Sequence, residues 1–379
     1  MEKMMCAKSK VTSGFSGVIE DIFRTVGIRI VRGTARFTGC KQLTVQGCDG
    51  SVKIVEAENI IIATGSTSRH PGFEVDEVQI ISSDGALIMK KIPKNLVVLG
   101  GGIISIELAF LWNKLGSKVT ILTNDSLIGI PIIDKEIRCQ FQQILEQQGM
   151  KIMTNTRVLC VQKCEKRVKV EVEDDRGENR QQLLCDVLLA CAGRVPYTTG
   201  LNLDRVGIQT DKNGHIPVYH NYQTCTPNIY AVGDVAPGPM TAHKAIEEGL
   251  LCVDGLCGLP TYLDINNLPM AIYTYPALTS IGKTEEQLQN ECIPYKVSWS
   301  YMKTNLRAHI DMDTRGSAKA LICPKTDHIL GTHIIAENAT EMINEVVLAK
   351  QYGITADKVA RVMHTHPSFA KLLKSLYGR

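Results

Sequence analysis

The chain has 379 residues, enough for two to three domains with an ample core. Its 44% hydrophobic and 21% charged content is ordinary for a soluble globular protein, and a net charge of +3 without a basic block or aromatic-interleaved patch excludes a nucleic-acid-binding reading. No apolar run approaches the roughly 18 residues a membrane helix needs, and residues 1–10 show neither a signal peptide's apolar region nor a long Arg-rich transit stretch.

Residues 11–25 have helical spacing, with Phe15, Val18, Ile19, Ile22 and Phe23 on one face. Residues 29–55 read as short strands broken by Gly33, Gly39, Gly47 and Gly50, a small antiparallel unit. Residues 59–65 form a buried strand that ends in a turn at Gly65, and 82–89 read as helix. A strand at 96–99 runs into Gly100-Gly101-Gly102, followed by a helix over 103–115 and a strand over 118–122. That order is a βαβ unit, the frame for a dinucleotide. A helix follows at 134–148, a hairpin at 158–173, and one buried strand at 183–192 ending in Gly193-Arg194. A short apolar strand at 229–232 ends in Gly233-Asp234, and a helix spans 243–256. From 268 the pattern becomes α+β, with strands at 271–273, 295–301, 318–322 and 329–335 and helices at 284–291, 340–351 and 355–362.

The 13 cysteines include no CxxC and no Cys/His metal spacing, which fits reduced, mostly buried thiols. Cys252 and Cys257 have C-x4-C spacing, but no nearby cation or helix start argues for an activated thiol, so both read as packing residues. The run from Gly100 nearly matches GxGxxG, with Ser105 in place of the third glycine. The acid expected about 20 residues on, for the ribose 2′-OH, is replaced by Thr123, with Asp125 two residues late and no arginine for a 2′-phosphate. Glu107 reads as a first-turn acid of the following helix. Gly233 lets backbone approach a ligand, Asp234 can bind a sugar hydroxyl, and the helix opening at Ala242-His243 favours a phosphate or other electron-rich group. In His364-Thr365-His366-Pro367 the nearest downstream charge is Lys371, the wrong sign to orient a catalytic histidine.

Together these segments, with Lys3-Met4-Met5, Ala192-Gly193-Arg194-Val195-Pro196 and Glu341-Met342-Ile343-Asn344-Glu345, resemble the pyridine nucleotide-disulfide oxidoreductases, in the dihydrolipoamide dehydrogenase (E3) branch, over almost the whole chain. The resemblance implies an α/β fold: a partial FAD-binding domain at 1–92, a Rossmann-type NAD-binding domain at 93–213, a central or second FAD segment at 214–268 and an α+β interface domain at 269–379. It implies FAD and NAD as cofactors and electron flow from a dihydrolipoyl dithiol through a disulfide and FAD to NAD+. Asp234, Ala242 and His243 would contact FAD, with Gly65 and Gly193 as further cofactor-binding residues. Gly100 and Gly102 would hold NAD, with Glu107 near the flavin and nicotinamide. His366 would be the acid–base group for the thiols, offered across a homodimer interface.

The departures from the family pattern shape the expectation. The family's first FAD motif and redox C-x4-C helix are not found, so the chain is expected to be truncated at its N-terminus. Lys371 stands where the orienting carboxylate belongs. The expectation is an inactive relative. It would pair with itself or with a full-length dihydrolipoamide dehydrogenase, as a silent partner or an inhibitor of it or as part of 2-oxo-acid dehydrogenase complexes; otherwise the sequence is an incomplete version of an active enzyme. The family suggests mitochondria; with no presequence visible, cytoplasm is the default.

Overall fold

The structure, a computed structural model, describes residues 1–262 and 264–378. Two compact units divide the chain: one takes residues 1–69 and the chain from Gly193 to the loop before Asp264, the other His70–Ala192 and the chain from Asp264 on.

The first unit opens with a helix, Glu2–Thr25, nine residues longer at its start than the apolar spacing implies. None of its side chains is buried, and Phe15 is 68% exposed. Strands Thr34–Gly39, Gln42–Gln46 and Val52–Glu56 form the expected antiparallel sheet. Ile60–Ile62 pairs in parallel with Ile229–Ala231, and Ser66–Ser68 runs antiparallel to Arg194–Pro196. Phe37, Ile60, Ile62, Ile216, Ile229 and Val235 pack into one apolar cluster beneath these strands.

In the second unit, Ile80–Ile81, Val187–Ala190, Asn95–Leu99, Lys118–Leu122 and Lys151–Met153 form a five-stranded sheet in that order, all parallel. The near-continuous apolar strands Leu96–Val98 and Val187–Ala190 suit its interior. The single strand expected over 183–192 is two. Gln181–Cys185 belongs to an antiparallel three-stranded sheet with Thr156–Lys163 and Val168–Asp174, and Val187–Ala190 to the parallel one. Asp186 sits at the break, its carboxylate accepting from Asn95 N at 2.8 Å. The helix expected over 82–89 is one turn, Ser83–Ala86, capped by the Ser82 hydroxyl.

The third sheet of this unit is antiparallel, in the order Met270–Ile272, Ala277–Gly282, Ile329–Ala336, Ser317–Ile322, Lys296–Tyr301. Strand Ala277–Gly282, not anticipated, pairs with two neighbours. Helices Ala339–Gln351 and Lys371–Tyr377 bury Met342, Ile343, Val346, Leu372, Leu373 and Leu376 against it.

A polar cluster lies in the same unit. Lys319, fully buried, donates to Asp134, Glu136 and Glu285, and its ammonium lies 5.5 Å from the Trp299 ring centre. Asp134 also caps helix Lys135–Gln147 and accepts from Glu285 N at 3.0 Å. Desolvation pulls the Lys319 pKa down, but the three carboxylates outweigh it and the net direction is up. The acids offer metal-like geometry, but the lysine already fills their centre.

His333 is buried beside this cluster. Its Nδ1 accepts from Asp134 N at 3.4 Å and its Nε2 faces Lys283 O at 3.2 Å, a pattern that suits the neutral ring. Burial pushes its pKa down to about 4, with the nearby Asp134 carboxylate acting the other way. Between pH 6.5 and 4 the unfolded chain therefore takes up a proton that the folded chain refuses. Stability is expected to fall with acidification through that window by up to about 1.4 kcal/mol per pH unit. Urea denaturation at pH 7 and pH 5 checks this, and His333→Gln should flatten the slope. An unchanged slope in the variant would assign the acid sensitivity elsewhere.

Candidate functional site

The glycine turn at 100–102 is shaped by three different constraints. Gly100 has φ +116°, and a Cβ there would lie 2.4 Å from the Cys191 carbonyl oxygen. A Cβ at Gly101 would lie 2.8 Å from Thr123 Oγ1. At Gly102 a Cβ would meet nothing within 4 Å. Gly102 caps the 12-residue helix Ile103–Lys114 and provides no side chain for its first N–H groups. With no side chain at the cap and open space where a Cβ at Gly102 would stand, this helix start suits a phosphate. Ser105 does not spoil the turn: it is 1% exposed, and its hydroxyl donates to Gly102 O at 2.8 Å. Thr123 is buried, with its hydroxyl committed to Asp125, donating to the carboxylate and accepting from the backbone N, each at 3.2 Å. The pyrophosphate half of a dinucleotide fits these residues. For the ribose, the exposed Asp125 carboxylate is the acid at hand.

Glu107 is the fifth residue of its helix, beyond the first turn, so the expected first-turn interaction with the helix dipole is corrected. Its Oε1 instead accepts from Tyr273 N at 2.8 Å. Burial raises its pKa, with the Tyr273 hydrogen bond acting the other way.

In the first unit, Gly65 (φ +71°) has open space where a Cβ would stand. The Ser66 hydroxyl after it donates to Asp234 Oδ2 at 2.5 Å and accepts from Arg194 Nε at 2.7 Å. Gly193 (φ +97°) starts the segment that carries this arginine, and its carbonyl accepts from Arg69 N at 2.9 Å. Gly65, Gly193 and Asp234 thus belong to one local arrangement, joined through Ser66 and Arg194. The Gly233 peptide is clasped by a pair that sequence reasoning missed. Glu248 accepts from Gly233 N at 2.7 Å, Lys244 donates to Gly233 O at 3.2 Å, and the two side chains, 6% and 1% exposed, meet at 2.9 Å. The available signal was a Lys/Glu pair four residues apart on an otherwise apolar helix face.

Helix Ala242–Leu256 begins with Thr241 as cap, but the threonine makes no side-chain cap bond, and its buried hydroxyl has no partner among the described residues. Ala242 and His243 are exposed at this helix start. A helix N-terminus without a side-chain cap bond and with an orphaned hydroxyl fits an electron-rich group of a bound cofactor.

In the histidine loop, His364 rather than His366 has the carboxylate: its Nε2 lies 3.0 Å from Glu345 Oε1. His366 Nδ1 lies 2.9 Å from Lys371 Nζ, so the lysine noted downstream of the histidine in the sequence touches the ring. Cys252 is buried within its helix and Cys257 exposed at the C-cap, and all 13 thiols are free.

Two family profiles match the chain: "Pyridine nucleotide-disulphide oxidoreductase" over residues 2–249 and its dimerisation domain over 268–377. Mitochondrial dihydrolipoyl dehydrogenases from Bos taurus and Homo sapiens are each 42% identical over 376 residues, 99% of this chain and 74% of theirs. The HOCl-induced flavoprotein disulfide reductase RclA from Escherichia coli superposes with a TM-score of 0.89 at 28% identity, covering 99% of this chain and 85% of that one. LpdA from Mycobacterium tuberculosis, at a TM-score of 0.91 and 21% identity over 99% and 82% of the two chains, shares the fold. The expected N-terminal truncation is not borne out by these matches.

Proposed function

The chain belongs to the pyridine nucleotide-disulphide oxidoreductase family, and from that premise we propose that it is a dihydrolipoyl dehydrogenase-like flavoprotein that has lost dithiol turnover at its histidine loop. The observation that carries this reading is the 2.9 Å contact between Lys371 Nζ and His366 Nδ1. An ammonium has three donors and no acceptor. Nδ1 must therefore accept, which leaves the ring proton on Nε2. A general base needs the opposite tautomer, with its outward nitrogen free to take a thiol proton.

The remaining residues keep the form of the family's sites. Gly65, Gly193, Asp234, Ala242 and His243 would hold FAD, which when bound supplies two-electron transfer between thiols and NAD+. Gly100 and Gly102 would take the NAD pyrophosphate, and Glu107, fixed by Tyr273 N, would border the nicotinamide. The match to the dimerisation domain supports assembly as a dimer, with a second copy or with a full-length dihydrolipoyl dehydrogenase. Cys252 is buried, Cys257 is exposed, and both thiols are free.

Dihydrolipoamide-dependent NAD+ reduction by the purified chain, with FAD added, is expected to be undetectable. Loss of a positioned acid–base group alone lowers rates about 10²–10⁴-fold. Lys371→Glu should move the His366 proton to Nδ1, visible in imidazole 15N shifts, without restoring turnover, since it supplies no redox thiols. Measurable turnover by the unmodified chain would overturn the reading.

A further inference from the structure

The exchange of a carboxylate for Lys371 changes more than one histidine. His366, Lys371, Lys374, Arg307 and Ser300 line a pocket of about 230 Å³ on the second unit. No aspartate or glutamate is among its lining residues. Asp311 engages Arg307 through Nε alone, at 2.7 Å, leaving the terminal guanidinium nitrogens for another acceptor. Lys374 is exposed and has no ion-pair partner among the described residues. Ser300, 5% exposed as a residue, lines the same pocket and brings a hydroxyl donor to it. Lys371 spends one of its three protons on His366 Nδ1, which leaves two for an anion and leaves an Nε2–H donor on the exposed ring.

We propose that this pocket binds a small free oxyanion of the phosphate class, with Lys371, Lys374 and Arg307 as its cations and Ser300 and His366 as neutral donors. The inference rests on the same His366–Lys371 contact as the functional reading above, but concerns binding rather than turnover. Cations without a lining acid favour a multiply charged ligand, and several donors converging on a small volume favour a tetrahedral oxyanion over a chloride. The carboxylate expected from the family at position 371 would place a negative charge in the same pocket and repel such a ligand.

The test is a titration of the full chain with inorganic phosphate at constant ionic strength, read by calorimetry and by the His366 imidazole NMR signals. Saturable binding in the millimolar range or tighter is expected, with the His366 signals moving along the same curve. Ser300→Ala and Lys374→Gln should each weaken it several-fold, Lys371→Glu more than tenfold, and Lys371→Arg should largely retain it. Circular dichroism on each variant separates lost binding from lost fold. Binding that survives Lys371→Glu and Ser300→Ala but disappears in Gly102→Ala would place the anion at the dinucleotide turn and overturn the proposal. An equal response to chloride at the same ionic strength would also overturn it. Neither result would alter whether dihydrolipoamide is turned over.

Discussion

Replacing Lys319 by methionine is expected to destabilise the folded chain by about 3–5 kcal/mol, the usual consequence of stranding one member of a buried ion pair. The methionine fills most of the volume, so the cost is electrostatic rather than a cavity. Glu136 and Glu285 have side chains 60% and 25% exposed and can turn toward water, but Asp134, at 1%, cannot. Its carboxylate would remain among His333, the Glu285 backbone N–H and the start of its own helix with no cation beside it. Asp134→Asn combined with Lys319→Met should recover much of the loss, because asparagine caps a helix as well as aspartate and carries no charge. Urea midpoints of the two single variants and the double variant decide the matter. A Lys319→Met chain within about 1 kcal/mol of the parent, the range of an exposed pair, would show that the lysine contributes little.

The second large effect separates two glycines that look alike in the sequence. Gly100→Ala should cost about 2–4 kcal/mol, since it combines a left-handed backbone with a Cβ 2.4 Å from the Cys191 carbonyl, a backbone atom that cannot step aside. Gly102→Ala, in extended backbone with open space around it, should cost about 1 kcal/mol or less as a poorer helix cap. Nucleotide binding should follow the reverse order in well-folded protein. A methyl at position 102 projects into the space a pyrophosphate would enter, so NADH binding should weaken at least about tenfold, a 1.4 kcal/mol effect. Thermal melts and NADH fluorescence titration of both variants test the split. Equal destabilisation by the two substitutions would contradict it.

The parallel sheet was legible because its strands are apolar runs of the right length separated by a glycine turn and a helical period. The break at Asp186 was not, since Leu183 to Ala190 reads as one apolar stretch with a single acid in it. Its role depends on Asn95 N, a partner 91 positions away. Strand Ala277–Gly282 escaped for a related reason: between Pro276 and Lys283 it mixes small, polar and apolar residues, and its place between two other strands decides its conformation. At the candidate site, the glycines, Asp234 and the lysine downstream of the histidine loop could be read from motif positions. The Lys244–Glu248 clasp and the Lys319 cluster could not, because a lysine in a helix or strand reads as solvent-facing until the fold surrounds it with acids.

The Lys244–Glu248 pair also bears on the entropy of ligand binding. Fixing the backbone of one residue costs roughly 1–2 kcal/mol, and a loop that orders only around its ligand loses that much affinity for every residue it freezes. The Gly233 peptide is held on both sides by side chains of the chain's own helix, so the turn carrying Asp234 is already fixed in the free protein. A ligand arriving there meets a pre-shaped surface, and whatever affinity this half of the site has is determined by the contacts it offers, not by the freedom of its turn.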